Sequence, residues 1–185
     1  MSMFCFQCEQ RGRDQACTAF GVCGKDPETA ALQDLLVHAC KGISQYAHRA
    51  RELGVIDADI DRFVIQGLFT TVTNVNFDPD NLQQWLDQAG TIHDRARSLY
   101  EQACASSGTP AAQIPNLLQW NKGEARGGNV RQAGAVGVEI RLRELGADIS
   151  GLQELLTYGI KGMAAYAEHA RVLGHEDPEV YAFIH

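Results

Sequence analysis

Cys5, Cys8, Cys17 and Cys23 fall inside one short run, FCFQCEQRGRDQACTAFGVCGK, with the spacing C-x2-C-x8-C-x5-C. Thiolates are soft donors, and four of them gathered by a short loop make a tetrahedral set that suits zinc or an iron–sulfur cluster. The same residues could pair as disulfides, which persist in oxidising compartments and are rare in the cytosol. Residues 1–6 show no basic stretch followed by an apolar one, so no secretory leader is visible; the chain is expected to be cytoplasmic and its cysteines to bind metal. Zinc sites usually arise from two close C-x2–4-C pairs, whereas here the second pair is spread over five intervening residues with no histidine among them. That spacing favours iron–sulfur and leaves zinc open, and with zinc the chain would read as a metal-stapled helical interaction module.

The remaining reactive side chains form no second constellation. Cys40 and Cys104 lie inside helical patterns, where a lone cysteine is most often a small buried hydrophobe. His38 and His48 are ten residues apart and do not stack on one helical face as an i, i+4 metal pair would, and with His93, His169, His175 and His185 they are expected at the surface or its rim. Asp57, Asp59 and Asp61 superficially resemble a calcium loop, but the glycine and terminal glutamate of an EF-hand are missing, so helix capping is the expected role. Sixteen basic against 23 acidic residues give a net charge of −7 with no basic stripe, which argues against a nucleic-acid partner. The apolar stretches are interrupted well short of the roughly 18 residues a membrane span needs. At 185 residues and 45% hydrophobic content, the chain can bury a core and form one or two domains.

The elements that must position the cysteines read as helix after helix. Asp26-Pro27-Glu28 is a helix start and Gly54 a stop, with an apolar stripe through Leu32, Leu35, Leu36, Ala39, Ile43, Tyr46, Ala47, Ala50 and Leu53 between them. A second helix is predicted from about Asp59 to Asn74, weak at its β-branched Thr70-Thr71-Val72-Thr73 end. A third runs from Asp78-Pro79 to about Cys104, and a shorter one from about Val130 to Glu144 follows a glycine- and proline-bearing connection.

LQDLLVHACKGISQYAHRARELG, from Leu32 to Gly54, then aligns without a gap on LQELLTYGIKGMAAYAEHARVLG, from Leu152 to Gly174, with 12 of 23 positions identical. The identities include Lys41/Lys161 and Gly42/Gly162, which predicts a shared packing geometry with close helix approach at each glycine. Asp177-Pro178 opens a further helix in which Phe183 aligns with Phe63. The expected fold is all-α, with two pseudo-symmetric helical bundle units and a cysteine-rich cluster loop: 1–25 the loop, 26–105 a three-helix unit, 106–128 a connection, and 129–185 a second helical unit that looks truncated.

FCFQCEQ, the cysteine spacing, GVCGK, LQDLL, QGLFTTVTN and LQELLTYGIKGMAAYAEHA together resemble the N-terminal part of the hybrid cluster (prismane, hydroxylamine reductase) family over nearly the whole chain. Arg11 departs from the small or acidic residue expected there. The resemblance implies that Cys5, Cys8, Cys17 and Cys23 ligate a [4Fe-4S] cluster. That cluster would relay electrons from a reductase partner to a hybrid iron–sulfur–oxygen cluster where hydroxylamine becomes ammonia or nitric oxide becomes nitrous oxide. It implies further that the hybrid cluster sits in later domains of a longer chain. No residue here matches its ligands, so this chain is expected to hold no catalytic residue and to be inactive alone. A segment of a carbon monoxide dehydrogenase, similar more distantly, has its N-terminal cysteines arranged differently.

Overall fold

The computed structural model describes residues 3–11, 16–114 and 120–185, and every regular element among them is a helix. α1 (Pro27–Glu52) begins at Asp26, whose carboxylate accepts from the Thr29 N–H at 2.6 Å. It ends where Gly54, at φ +80°, takes a left-handed conformation that costs glycine nothing, and the Val55 N–H returns to the Ala50 carbonyl at 2.9 Å. α2 (Ala58–Thr70) starts on Asp57 and α3 (Pro79–Ser107) on Asp78, each carboxylate accepting from N–H groups of the first turn. α2 stops at Thr70, short of the predicted Asn74. The Thr71 hydroxyl donates to the Leu68 carbonyl at 2.8 Å, and the β-branched residues turn the chain instead of extending the helix.

α4 (Arg126–Ala133), α5 (Val138–Val172) and α6 (Pro178–Ile184) complete the chain. The helix expected over Val130–Glu144 is divided: α4 ends at Ala133, the chain turns through Gly134 to Gly137, and α5 begins at Val138. α5 is itself broken at Gly146, whose φ of 80° and ψ of 170° belong to a region essentially reserved for glycine.

α1 is the central element, packed along α3 and flanked by α2 and α4, while α2 also packs against α5 and α6. Leu32, Leu35, Leu36 and Ile43 of α1 are fully buried with Ile60 and Ile65 of α2 and Leu82 of α3. Gly67 sets the α1–α2 distance, because a Cβ there would lie 3.0 Å from the Cys40 Sγ. Cys40 is the buried hydrophobe expected, and burial pushes its thiol up to about 12.

Both copies of the repeat are helical and stop identically: Gly174 has φ +83° and the His175 N–H returns to the Ala170 carbonyl at 2.9 Å. Their surroundings differ. Leu32, Leu35 and Leu36 are 0% exposed, whereas Leu152, Leu155 and Leu156 are 68%, 69% and 61% exposed. A Cβ on Gly162 would meet nothing within 4 Å, so the predicted close approach is not made there, and Phe183 is exposed where Phe63 is buried. The cause is the neighbour: α3 lies along α1, and among the described residues no helix covers the corresponding face of α5.

Candidate metal centre

The cysteine loop is closed by backbone bonds. Met3 donates to the Thr18 carbonyl at 3.0 Å, and Cys5 and Cys17 exchange N–H···O bonds at 3.0 and 2.8 Å as an antiparallel bridge. Directly opposed residues in such a pair carry their side chains on the same face, which brings two thiols from opposite arms of the loop together. The Gly21 N–H donates to the Lys25 carbonyl at 2.7 Å. A Cβ on Gly21 would sit 3.1 Å from both the Cys23 Sγ and the Lys25 carbonyl oxygen, so this turn needs the bare Cα. Gly24 contributes a positive φ of 95°, and Gly12, the third loop glycine, lies outside the described residues.

Cys5, Cys8, Cys17 and Cys23 are free, each half-buried, and all four line a single recess with Met3, Phe6, Gln7 and Lys25. They share the recess without being drawn into a ligand set: among the described residues no three histidine, cysteine, aspartate or glutamate side chains stand together as a metal-holding group. The donor chemistry fits a thiolate-bound metal or cluster, since four unpaired thiols open onto one space walled by Met3 and Phe6. Arg11, the departure noted in the sequence, also lines the recess and lies over the Phe6 ring at 5.8 Å.

Behind the loop is a polar layer that sequence reasoning missed. The Gln7 side chain donates to the Thr73 hydroxyl at 2.7 Å and accepts from the Lys161 Nζ at 3.0 Å, tying the loop to the end of the α2 segment and to α5. Phe6 packs edge-on against Tyr158 at 6.0 Å. Glu154, buried, accepts from Arg141 at 2.5 Å. Burial and the neighbouring Glu154 carboxylate push the Tyr158 phenol well above its usual range. Burial also raises the Asp34 carboxyl to about 6 against the opposing charges of Lys161 and Lys25. The available signal was the Lys41/Lys161 identity in the repeat, which the helical pattern alone does not explain.

Two histidines correct the expectation of surface positions. His93 is buried between Tyr46 and Trp120, and its protonated imidazolium form is disfavoured first by burial and then by Lys122. The His185 ring is enclosed, with Nε2 2.8 Å from Asp61 and Nδ1 3.0 Å from the Ser44 hydroxyl. Asp57 caps α2 as expected, but Asp61 is no cap: it pairs with Arg51 at 2.6 Å in the same buried cluster.

The prismane/CO dehydrogenase family model matches residues 3–185. The chain belongs to that family. Among curated relatives, the hydroxylamine reductase of Rhodospirillum rubrum is 49% identical over 183 residues, 99% of this chain and 33% of the relative. Those of Geobacter sulfurreducens and Halothermothrix orenii are 46% and 43% identical over 187 residues, covering all of this chain and 34% and 33% of theirs. This prismane-family chain therefore spans about a third of the length of these relatives. No helix among its described residues is long and apolar enough to cross a membrane.

Proposed function

We propose that this chain is the electron-relay portion of a hydroxylamine-reducing enzyme, and that Cys5, Cys8, Cys17 and Cys23 hold a [4Fe-4S] cluster. The observation that carries the reading is the single recess onto which all four free thiols open, in a chain similar along its whole length to hydroxylamine reductases. When bound, such a cluster supplies a one-electron carrier. The chain's own residues do the rest. The four cysteines bind as thiolates, releasing their protons on loading. The Cys5–Cys17 bridge and the Gly21 turn fix the arms of the loop, and Met3 and Phe6 keep one wall of the recess apolar. The half-buried position of the cysteines supports exchange with a reductase docked nearby. Cluster irons carrying four protein thiolates have no open position for hydroxylamine, so turnover belongs to residues outside this segment.

Iron, acid-labile sulfide and zinc are measured on protein made and purified without oxygen, together with the electron paramagnetic resonance spectrum after chemical reduction. Four irons and four sulfides per chain, lost in the Cys5→Ala/Cys8→Ala variant, is the expected result. Stoichiometric zinc without sulfide would replace the relay by a zinc-stapled interaction module. Steady ammonia production from hydroxylamine by the loaded chain, above the double variant and free iron, would refute the division of labour.

A further inference from the structure

Lys161 lies on α5, 154 residues from its partner Gln7, and is 8% exposed. An ammonium removed from water is costly unless a counter-charge and hydrogen bonds replace the lost solvation. Among the described residues its hydrogen-bond acceptor is the uncharged Gln7 amide at 3.0 Å, and no carboxylate pairs with it directly. Asp34 and Glu154 act on it only through space, Lys25 opposes them, and burial pushes the ammonium down to about 8. The Tyr158 ring, 6.0 Å from Nζ, closes another side. The Cys5 thiol is the remaining group whose negative charge would favour the cation. A buried cation whose hydrogen-bond partner is neutral therefore stands behind the loop, with Asp34 and Glu154 acting on it only from a distance, and an anionic centre in the cysteine recess would add to the counter-charge they supply.

Gln7 gives the contact a second effect. It sits between Cys5 and Cys8, and its amide is held at both ends, by Lys161 and by the Thr73 hydroxyl. The C-x2-C arm cannot shift without breaking one of these bonds. Lys41, the repeat counterpart of Lys161, lies near Asp34, Arg141 and Glu154, but no bond joins it to the loop among the described residues.

We propose that Lys161 is a positioning residue for the metal centre: its ammonium, through Gln7, holds the Cys5–Cys8 arm in place and raises the reduction potential of the cluster the four cysteines bind. The second half rests on the cluster reading above. A fixed positive charge stabilises the more negative, reduced form, and net charge and hydrogen bonding around a cluster set its potential.

The test compares the full chain with Lys161→Met, Lys161→Arg, Gln7→Leu and Lys41→Met. In anaerobically loaded protein, redox titration followed by electron paramagnetic resonance gives the midpoint potential, with iron and sulfide measured on each sample. Lys161→Met is expected to shift the midpoint to a more negative potential, with Lys161→Arg keeping most of the wild-type value and Lys41→Met moving it less. A loaded Lys161→Met with the wild-type midpoint overturns the electrostatic role. Independently, the reduced, metal-free chain is alkylated with iodoacetamide and read by peptide mass spectrometry. Faster labelling of Cys5 and Cys8 in both Lys161→Met and Gln7→Leu supports the tether, and unchanged labelling in both overturns it, including where Lys161→Met takes up no cluster. If the wild-type chain holds no iron and sulfide, the cluster reading and the potential shift fall together, and the labelling result still decides the tether.

Discussion

Leu35 and Leu155 occupy the same position in the two copies of the repeat, yet truncating each to alanine should have very different costs. Leu35 is 0% exposed in the core between α1, α2 and α3, so Leu35→Ala loses the transfer free energy of the side chain and leaves a cavity, about 2–5 kcal/mol. Leu155 is 69% exposed. With roughly a third of its surface covered, and full burial of a leucine contributing about 1.5–3 kcal/mol, Leu155→Ala should cost about 0.5–1 kcal/mol. Helix propensity separates leucine and alanine only slightly, so it does not disturb the comparison. For a chain of this size, about 2–4 °C accompanies each kcal/mol, which predicts a fall in Tm of roughly 4–20 °C for Leu35→Ala and under about 4 °C for Leu155→Ala. Urea unfolding followed by far-ultraviolet circular dichroism, with equal slopes required of all three proteins, supplies the free energies. Equal losses at the two positions would show that α5 buries its stripe in solution as α1 does, and would refute the asymmetric packing.

Asp61→Ala removes the counter-charge of half-buried Arg51 together with the enclosed His185 contact, and should destabilise the chain by about 2–4 kcal/mol in urea unfolding. Burial pushes the Asp61 carboxyl up, but the hydrogen bonds from His185 and Arg51 outweigh it and hold it below 3.8; its stabilisation is therefore present above that pH and lost as pH falls further, so the gap between wild type and variant should narrow in acid. Asp34 has the opposite sign: raised from 3.8 to about 6, its ionisation costs more in the folded chain than in the unfolded one. That penalty enters as pH rises from 3.8 to about 6, so Asp34→Asn should gain on wild type by about 1–3 kcal/mol between pH 4 and pH 7, and a constant difference across those pH values would contradict the assignment. Gly21→Ala places a Cβ 3.1 Å from the Cys23 Sγ and the Lys25 carbonyl, and should lower the iron and sulfide retained per chain while leaving the helical circular dichroism signal unchanged.

Much of this architecture could be read without coordinates because it is encoded locally. Asp26, Asp57, Asp78 and Asp177 place a carboxylate where the first N–H groups of a helix have no partner, and Gly54 and Gly174 take the left-handed conformation that ends one. Each signal acts over three or four residues, and sequence spacing alone was enough to nominate the four cysteines. What spacing could not supply was anything that depends on a distant neighbour. Leu35 and Leu155 share the same local sequence pattern, and only the helices packed around α1 make one of them core. His93 and His185 look like surface residues until Trp120 and Asp61 close around them, and Asp61 looks like a cap until Arg51 reaches it. Lys161 and Gln7 meet across 154 residues, a contact no periodicity announces. Caps and stripes follow from backbone valence and helical geometry, which short segments carry within themselves. Burial, counter-charge and the position of a side chain relative to the cysteine recess are properties of what surrounds a residue, and only the folded chain assembles that.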